Sequence, residues 1–181
     1  MKKLTLLRHA KSGWDDPVAR DFDRPLNDKG VRAAKTMGEK ARSGGLAVDR
    51  LIASPALRVQ QTLASFFEGL GAAIEPVWDR RIYLASSATL LDIIRETEAG
   101  IDHLMLVGHN PGLEDLILDL VADDGASPLR DIVEVKYPTA SLAQMRWEGD
   151  DWDNLGPTSG VELYALTRPR DLDPSLGPDY N

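Results

Sequence analysis

Short apolar runs alternate with amphipathic segments along most of the chain. The runs at residues 4–7, 50–54, 74–78 and 103–107 have the length and polar flanks of buried β-strands. After each of them, apolar residues recur at helical spacing, in residues 28–42, 56–70, 88–98 and 113–121. Residues 141–147 and 161–167 are predicted to be two further strands joined by an acidic turn, and residues 123–129 a polar loop.

Residues at the helix boundaries support this division. Asn27 or Asp28 can cap the first helix, while Pro55 suits the first turn of the second helix and Gly71 its end. The alternation of strand and helix predicts an α/β fold, a three-layer α/β/α sandwich with a mostly parallel central sheet. We expect one domain over residues 1–168. Residues 169–181 are rich in Pro and Asp and are predicted to form a loosely ordered C-terminal tail.

Histidines and arginines are placed at one edge of this predicted sheet. Arg8 and His9 come directly after the first strand, and His109 follows the fourth. The carboxyl ends of parallel strands meet at the same edge, so these side chains are expected to lie close together. Arg58, in the first turn of the helix after the second strand, belongs to the same edge. His103 begins its strand and is expected at the opposite edge.

A cluster of these two arginines and two histidines would repel itself unless it held an anion, because no nearby carboxylate is predicted. A phosphoryl group fits, since two guanidinium groups can fork onto its oxygens. Each charge-assisted hydrogen bond of this kind contributes about 1.5–3 kcal/mol. Any one of the residues alone is more often a solvated cap. A metal ion is disfavoured, because the histidines lack a third ligand at a typical spacing and have arginines as neighbours.

Composition narrows the possible classes of protein. The 181-residue chain has a formal net charge of −8, so we expect neither nucleic acid nor a membrane as a partner. It contains no cysteine, which excludes disulfides, thiolate nucleophiles and cysteine-ligated zinc. The apolar run before Arg8 is too short for a signal peptide or a membrane span, so a cytoplasmic protein is expected.

Three separate motifs carry a resemblance to a known family. RHAKS at residues 8–12, SPALRVQQT at residues 54–62 and VGHNPG at residues 107–112 resemble the histidine phosphatase superfamily, which has the phosphoglycerate mutase-like fold. RPLNDKG at residues 24–30, the HNPG form and the short length look most like its phosphohistidine phosphatase branch, the SixA type. PTASLAQ at residues 138–144 is similar to the same branch.

The resemblance implies a role for each residue of the cluster. His9 would be the nucleophile and become phosphorylated. Arg8 and Arg58 would hold the phosphoryl oxygens, with His109 as the second histidine facing them. A free imidazole has a pKa of about 6.5, so a useful fraction is neutral and nucleophilic at neutral pH. Its other ring nitrogen must then be held as a donor to fix the tautomer. Water would hydrolyse the phosphohistidine, and neither a metal nor another cofactor is required.

Two departures from the family pattern concern the general acid. Larger members supply a glutamate after the third strand, whereas Asp79 is the only carboxylate in PVWDRRIYLASS at residues 76–87. Asp15 stands where phosphoglycerate mutase-like members often have an asparagine that contacts phosphate. Asp15 and Asp79 are therefore weak candidates for the acid. A phosphoramidate nitrogen needs less help to leave than an alkoxide, so a weak acid favours phosphohistidine as the substrate.

The leading interpretation is a metal-independent phosphatase that works through a phosphohistidine intermediate and acts on phosphohistidine in proteins. A small-molecule phosphomonoesterase, whose partner would be a small phosphorylated substrate, is one alternative. A phosphate-binding or docking module without turnover is another. A mutase is less favoured because the chain lacks long insertions, and a nucleotide-binding domain because it lacks a glycine-rich phosphate loop. The sequence leaves the oligomeric state unknown.

Overall fold

The computed structural model describes residues 1–13 and 20–178 of the chain. These residues form the strands β1 (Lys2–Arg8), β2 (Arg50–Ala53), β3 (Pro76–Trp78), β4 (His103–Gly108), β5 (Leu142–Trp147) and β6 (Glu162–Thr167). They also form the helices α1 (Asp28–Ser43), α2 (Leu57–Leu70), α3 (Ser87–Arg95), α4 (Gly112–Leu120), α5 (Pro128–Val135) and α6 (Pro169–Leu172).

All six strands belong to one central sheet, in the order β3-β2-β4-β1-β5-β6. The strands β1 to β4 pair in parallel, and β5 and β6 join antiparallel at one side. Arg8 pairs with Gly108 and Ala53 with Val107, so β1, β2 and β4 end at the same edge. The prediction of an α/β fold with a mostly parallel sheet is confirmed.

Alternate residues along the strands supply a hydrophobic core on each face of the sheet. In β4, Leu104 and Leu106 pack into the core under α3, α4 and α5. Met105 and Val107 pack into the core under α1 and α2. A strand buried on both faces appears as one continuous apolar run, which is the pattern the sequence has here.

The two helices on one face pack with their backbones in contact. An ideal Cβ atom on Gly38 of α1 would lie 2.0 Å from the carbonyl oxygen of Phe66. One on Gly69 of α2 would lie 2.1 Å from the carbonyl oxygen of Lys35. Only glycine fits at both positions, and this close packing fixes α2, which carries Arg58, against α1.

The sequence pattern predicts neither α5 nor the short helix α6. Residues 128–135 form α5, although the pattern predicts a polar loop over residues 123–129 and no helix beyond it. The signals for the helix are present: Ser127 caps it by accepting a hydrogen bond from the backbone nitrogen of Arg130, and Pro128 occupies the first turn. The predicted helices and strands all exist, and their ends differ from the prediction by at most three residues.

The segment after β6 is folded against the domain as far as the structure describes it. Residues 169–172 form α6 and Pro174–Leu176 a 3-10 turn, although the composition predicts a loosely ordered tail there. Leu176 is buried in the core under α1 and α2. The Nζ atom of Lys29 donates a hydrogen bond of 2.5 Å to the carbonyl oxygen of Gly177. The burial of Leu176 and the proline at the start of α6 therefore order a segment whose composition is typical of a loose tail.

Among residues 1–13 and 20–178, none of the helices combines the length and the apolar character that a membrane crossing requires.

Candidate active site

The segment that follows β1 is fixed by hydrogen bonds to two other parts of the fold, the end of β4 and helix α2. The backbone nitrogen of His9 donates to the carbonyl oxygen of Gly108, at the end of β4. The nitrogen of Ala10 donates to Oγ1 of Thr62, whose hydroxyl donates to the carbonyl oxygen of Arg58 in α2. Because these bonds join neighbouring strand ends and a helix start, the backbone of the segment is preorganised.

The ring of His9 is held in the tautomer that a nucleophile requires. Its Nδ1 atom lies 2.7 Å from the carbonyl oxygen of Ala10. A carbonyl only accepts, so Nδ1 carries the proton and the neutral ring has its lone pair on Nε2. Burial lowers the pKa of His9 to about 4, and the charges of Arg8 and Arg58 act in the same direction. At neutral pH the ring is therefore uncharged.

His109 lies beside His9, with ring centroids 5.2 Å apart. Its Nδ1 atom is 3.3 Å from Nη2 of Arg58, and its Nε2 atom is 2.8 Å from Oγ of Ser54. A guanidinium only donates, so the proton of the neutral ring is on Nε2. Burial lowers the pKa of His109 to about 3, helped by His9 and Arg58. A bound dianion would raise that pKa and make Nδ1 a donor.

Each of the two arginines keeps a buried donor without a partner among the described residues. Arg58 is 2% exposed, and its Nη1 atom donates to the carbonyl oxygen of Asp21 at 2.7 Å. Arg8 donates through Nη1 to the carbonyl oxygen of Tyr137 at 2.9 Å. The Nε atoms of both arginines are buried and make no hydrogen bond with the described chain. An unsatisfied charged donor costs about 1–3 kcal/mol or more, so the arrangement favours an anion there.

The expectation that no carboxylate lies near the cluster is wrong. Asp21, in a 3-10 turn over Asp21–Asp23, places Oδ2 3.1 Å from Nη2 of Arg58. The same oxygen accepts a hydrogen bond of 2.5 Å from the hydroxyl of Tyr83, and Oδ1 accepts from Nε of Arg24. Partial burial raises the pKa of Asp21, but Tyr83, Arg58 and Arg24 outweigh it and lower the pKa to about 2. Asp21 is therefore a fixed negative charge that orients the guanidinium of Arg58.

No feature of the sequence pattern distinguishes Asp21. It is one of several aspartates between β1 and α1, and its contact with Arg58 joins residues 37 positions apart. The T-shaped packing of Tyr83 on His109, with centroids 5.4 Å apart, was equally invisible in the pattern.

The two candidates for the general acid have different outcomes. Asp79 caps the turn Arg80–Ile82 and pairs with Arg81 at 2.7 Å. The hydrogen bond from Arg81 lowers the pKa of Asp79, which keeps it ionised. Asp15 lies outside the described residues.

His103 is at the opposite edge of the sheet as predicted, with Nε2 2.7 Å from Oγ1 of Thr5.

A second group of residues positions Arg8 from the side of β5. Tyr137 is fully buried, and its hydroxyl lies 2.8 Å from the carbonyl oxygen of Leu6. Its own carbonyl accepts from Nδ2 of Asn110 as well as from Arg8. Glu114 accepts from the backbone nitrogen of Tyr137. The motif that contains His109 is therefore joined to Arg8 through one buried tyrosine.

Within residues 1–13 and 20–178, no three His, Asp or Glu side chains are grouped so that they could hold a metal ion.

Comparison with known proteins agrees with this arrangement. Residues 4–81 match the family model of the histidine phosphatase superfamily, branch 1. An uncharacterized protein of Mycobacterium tuberculosis is 33% identical over 152 residues, which cover 83% of this chain and 92% of the relative. The chain therefore belongs to the histidine phosphatase superfamily, a class of phosphatases.

Solved structures extend the likeness to almost the whole chain. The putative phosphohistidine phosphatase SixA from Nakamurella multipartitia is 30% identical, with a TM-score of 0.78 over 93% of this chain and 96% of the other. The putative SixA from Agrobacterium tumefaciens is 28% identical, with a TM-score of 0.77 over 92% and 97%. A SixA structure complexed with tungstate shares the fold, with a TM-score of 0.71 at 18% identity over 94% and 99%.

The depressed pKa values of the two site histidines predict a loss of stability in mild acid. His9 and His109 have pKa values of about 4 and about 3 in the folded chain, against about 6.5 when unfolded. The unfolded chain therefore binds protons first as the pH falls below 6.5. We expect the free energy of unfolding to fall by about 1.4 kcal/mol per pH unit for each histidine between pH 6.5 and pH 4. Urea denaturation at several pH values measures it.

The matched control is the double variant His9→Gln/His109→Gln, which should lose stability less steeply over the same range. His103 also has a lowered pKa, and it remains in both proteins. An equal pH dependence in the native chain and the double variant would contradict the assignment.

Proposed function

We propose that this chain is a metal-independent phosphatase in which His9 becomes phosphorylated, and that its substrates are phosphohistidine residues of proteins. The observation that carries the proposal is the pairing of a tautomer-fixed His9 with the buried, unpartnered Nε–H groups of Arg8 and Arg58. Together they supply a nucleophilic lone pair and donors for the phosphoryl oxygens.

In the first step, the Nε2 lone pair of His9 attacks the phosphorus atom. The N–P bond to His9 forms while the bond from phosphorus to the leaving group breaks. A phosphohistidine whose ring already carries a proton on its other nitrogen leaves as a neutral imidazole, whereas a phenolate leaves as an anion and takes its proton from solvent water. Arg8 and Arg58 donate to the equatorial oxygens, which keep their negative charge throughout. The hydrogen bond that Nδ1–H of His9 donates to the carbonyl oxygen of Ala10 stabilises the positive charge that develops on the His9 ring.

In the second step, water attacks the phosphorus atom of phosphorylated His9. The new P–O bond replaces the N–P bond, the proton of the water passes to solvent or to inorganic phosphate, and His9 returns to its neutral form. His109, protonated while the dianion is bound, donates from Nδ1 to a phosphoryl oxygen in both steps. Its release of that proton on loss of phosphate follows from its low pKa in the free protein.

The carboxylates that the structure describes near the site favour a leaving group that needs little acid catalysis. Asp21 is bound to Arg58 and Tyr83, Asp79 to Arg81, and Glu114 to the backbone of Tyr137. A protonated imidazole leaves as a neutral ring, whereas an alkoxide requires a proton donor. The SixA names of the similar structures support the same choice of substrate.

The test compares leaving groups at a constant phosphoryl group. We expect hydrolysis of a phosphohistidine peptide and of p-nitrophenyl phosphate, whose leaving group is a weak base. A matched phosphoserine peptide should have a kcat/KM lower by about 10²-fold or more, the usual size of a general-acid contribution. Faster hydrolysis of phosphoserine peptides or sugar phosphates would instead identify a phosphomonoesterase. Phosphate binding without turnover of any of these substrates would identify a binding module.

A further inference from the structure

A cavity of about 260 Å³ opens beside Arg8, at the carboxyl edge of the sheet. Its wall is formed by four parts of the chain: the end of β1 with the segment after it, the start of α1, the segment between α5 and β5, and α6 with the turn that follows it. Leu176 and Pro138 give it an apolar side. The proposed mechanism does not use this cavity, although Arg8 lines it and Lys11 is only two residues from His9.

The polar lining of the cavity is strongly cationic. Five of its side chains carry positive charge, and none of the described residues that line it is a carboxylate: Arg8, Lys11, Lys29, Lys136 and Arg170. The chain as a whole has a net charge of −8, so this local excess runs against its composition. Like charges that share a concave wall raise the local concentration of anions, because field lines are focused in such a cleft.

Two of the cations that line the cavity belong to segments far from Arg8 in sequence. Lys136 follows α5, and Arg170 belongs to α6, which the burial of Pro169 and Leu176 holds against the domain. Lys136 and Arg170 make no salt bridge with another described residue. Arg168, two residues before Arg170, is paired with Asp171 at 2.8 Å. Lys136 and Arg170 thus line the cavity without a salt bridge to a described residue, whereas Arg168 forms one outside it.

The position of the cavity determines what could fill it. Arg8 joins the two sites, because it lines the cavity and its buried Nε atom belongs to the proposed phosphoryl site. An anion in the cavity would thus lie alongside the transferred group rather than at a remote surface. A volume of about 260 Å³ holds a carboxylate or a phosphate together with a short linking chain.

We propose that this cavity binds a second anionic group of the substrate, a carboxylate or phosphate that is linked through a few bonds to the phosphoryl group transferred to His9. This proposal rests on the proposed function, which places the transferred phosphoryl group at His9. The second group has two sources with the same chemistry: an acidic side chain next to the phosphorylated residue of a peptide, or a second phosphate on a small molecule.

The test removes the two cations that have no role at His9. In the double variant Lys136→Gln/Arg170→Gln, kcat/KM for p-nitrophenyl phosphate should stay within about twofold of the native value. For a phosphohistidine peptide with flanking glutamates, it should fall about tenfold, as expected for the loss of two charge-assisted contacts at a partly solvated site. The same peptide with glutamines should be affected as little as p-nitrophenyl phosphate. The control Lys40→Gln/Arg42→Gln removes equal charge from the exposed far end of α1.

A second part of the test measures the binding of small molecules instead of turnover. Calorimetry with propane-1,3-diphosphonate and with propylphosphonate should give tighter binding of the diphosphonate, and the Lys136/Arg170 variant should lose that advantage. A response of the peptides alone identifies an acidic protein substrate, and a response of the diphosphonate alone identifies a second phosphate. Equal losses for all ligands, or none, would overturn the proposal. Because calorimetry needs no hydrolysis, it tests the cavity even if the proposed phosphatase activity is absent.

Discussion

His9→Ala should lower kcat for p-nitrophenyl phosphate by at least about 10³-fold, since loss of the proposed nucleophile would remove the whole covalent route. Inorganic phosphate should still bind, because Arg8, Arg58 and His109 remain in place. Steady-state hydrolysis and calorimetric titration with phosphate measure the two quantities. A circular dichroism spectrum of the variant shows whether the fold is kept.

His103→Gln is the matched control for this experiment. His103 is also a histidine at a strand end, but it lies at the opposite edge of the sheet, where it contacts Thr5. We expect its replacement to change kcat by no more than about twofold, because His103 lies far from the site and glutamine can keep a hydrogen bond to Thr5. Comparable losses in the two variants would mean that turnover depends on stability rather than on a nucleophile.

Arg58→Lys should lower kcat/KM for the same substrate by about 10²- to 10³-fold, the usual effect of removing one preorganised donor to a transition-state oxygen. The planar fork of Arg58 donates through Nη1 and Nη2 to Asp21 while Nε stays available. A lysine ammonium is a single point charge and cannot satisfy Asp21 and a phosphoryl oxygen together. The affinity for inorganic phosphate should fall with kcat/KM.

Arg50→Lys provides the control for Arg58. Arg50 begins β2 at the opposite edge of the sheet and pairs with Glu98 at 3.3 Å on the surface. That exchange should leave kcat/KM unchanged within about twofold, because exposed pairs of this kind contribute little. If Arg58→Lys also left kcat/KM unchanged, the guanidinium of Arg58 would not be a ligand of the phosphoryl group.

The register of the sheet explains why so much of the site could be predicted from sequence. Three strands that pair in parallel bring their carboxyl ends together, so Arg8, His9 and His109 had to meet once β1 and β4 were neighbours. Arg58 follows from the same rule through the helix after β2. Such a prediction needs only the period of the hydrophobic pattern and the direction of the chain.

The rest of the site arises from tertiary contacts that leave no periodic signal. Asp21 meets Arg58 across 37 residues, and Tyr137 meets Arg8 across 129. The cationic cavity depends on α6 and on the burial of Leu176, in a segment whose composition predicts loose order. A residue far along the chain reaches a site only when packing elsewhere places it there.

Detection of phosphate on His9 itself tests the central claim most directly. The enzyme would be mixed with p-nitrophenyl phosphate, quenched at alkaline pH because phosphohistidine is labile in acid, and digested for mass spectrometry. We predict an added phosphoryl group on the peptide that contains His9, formed and lost at rates that match turnover. Turnover of the substrate with no phosphate on His9, or with phosphate on a different residue, would contradict the account.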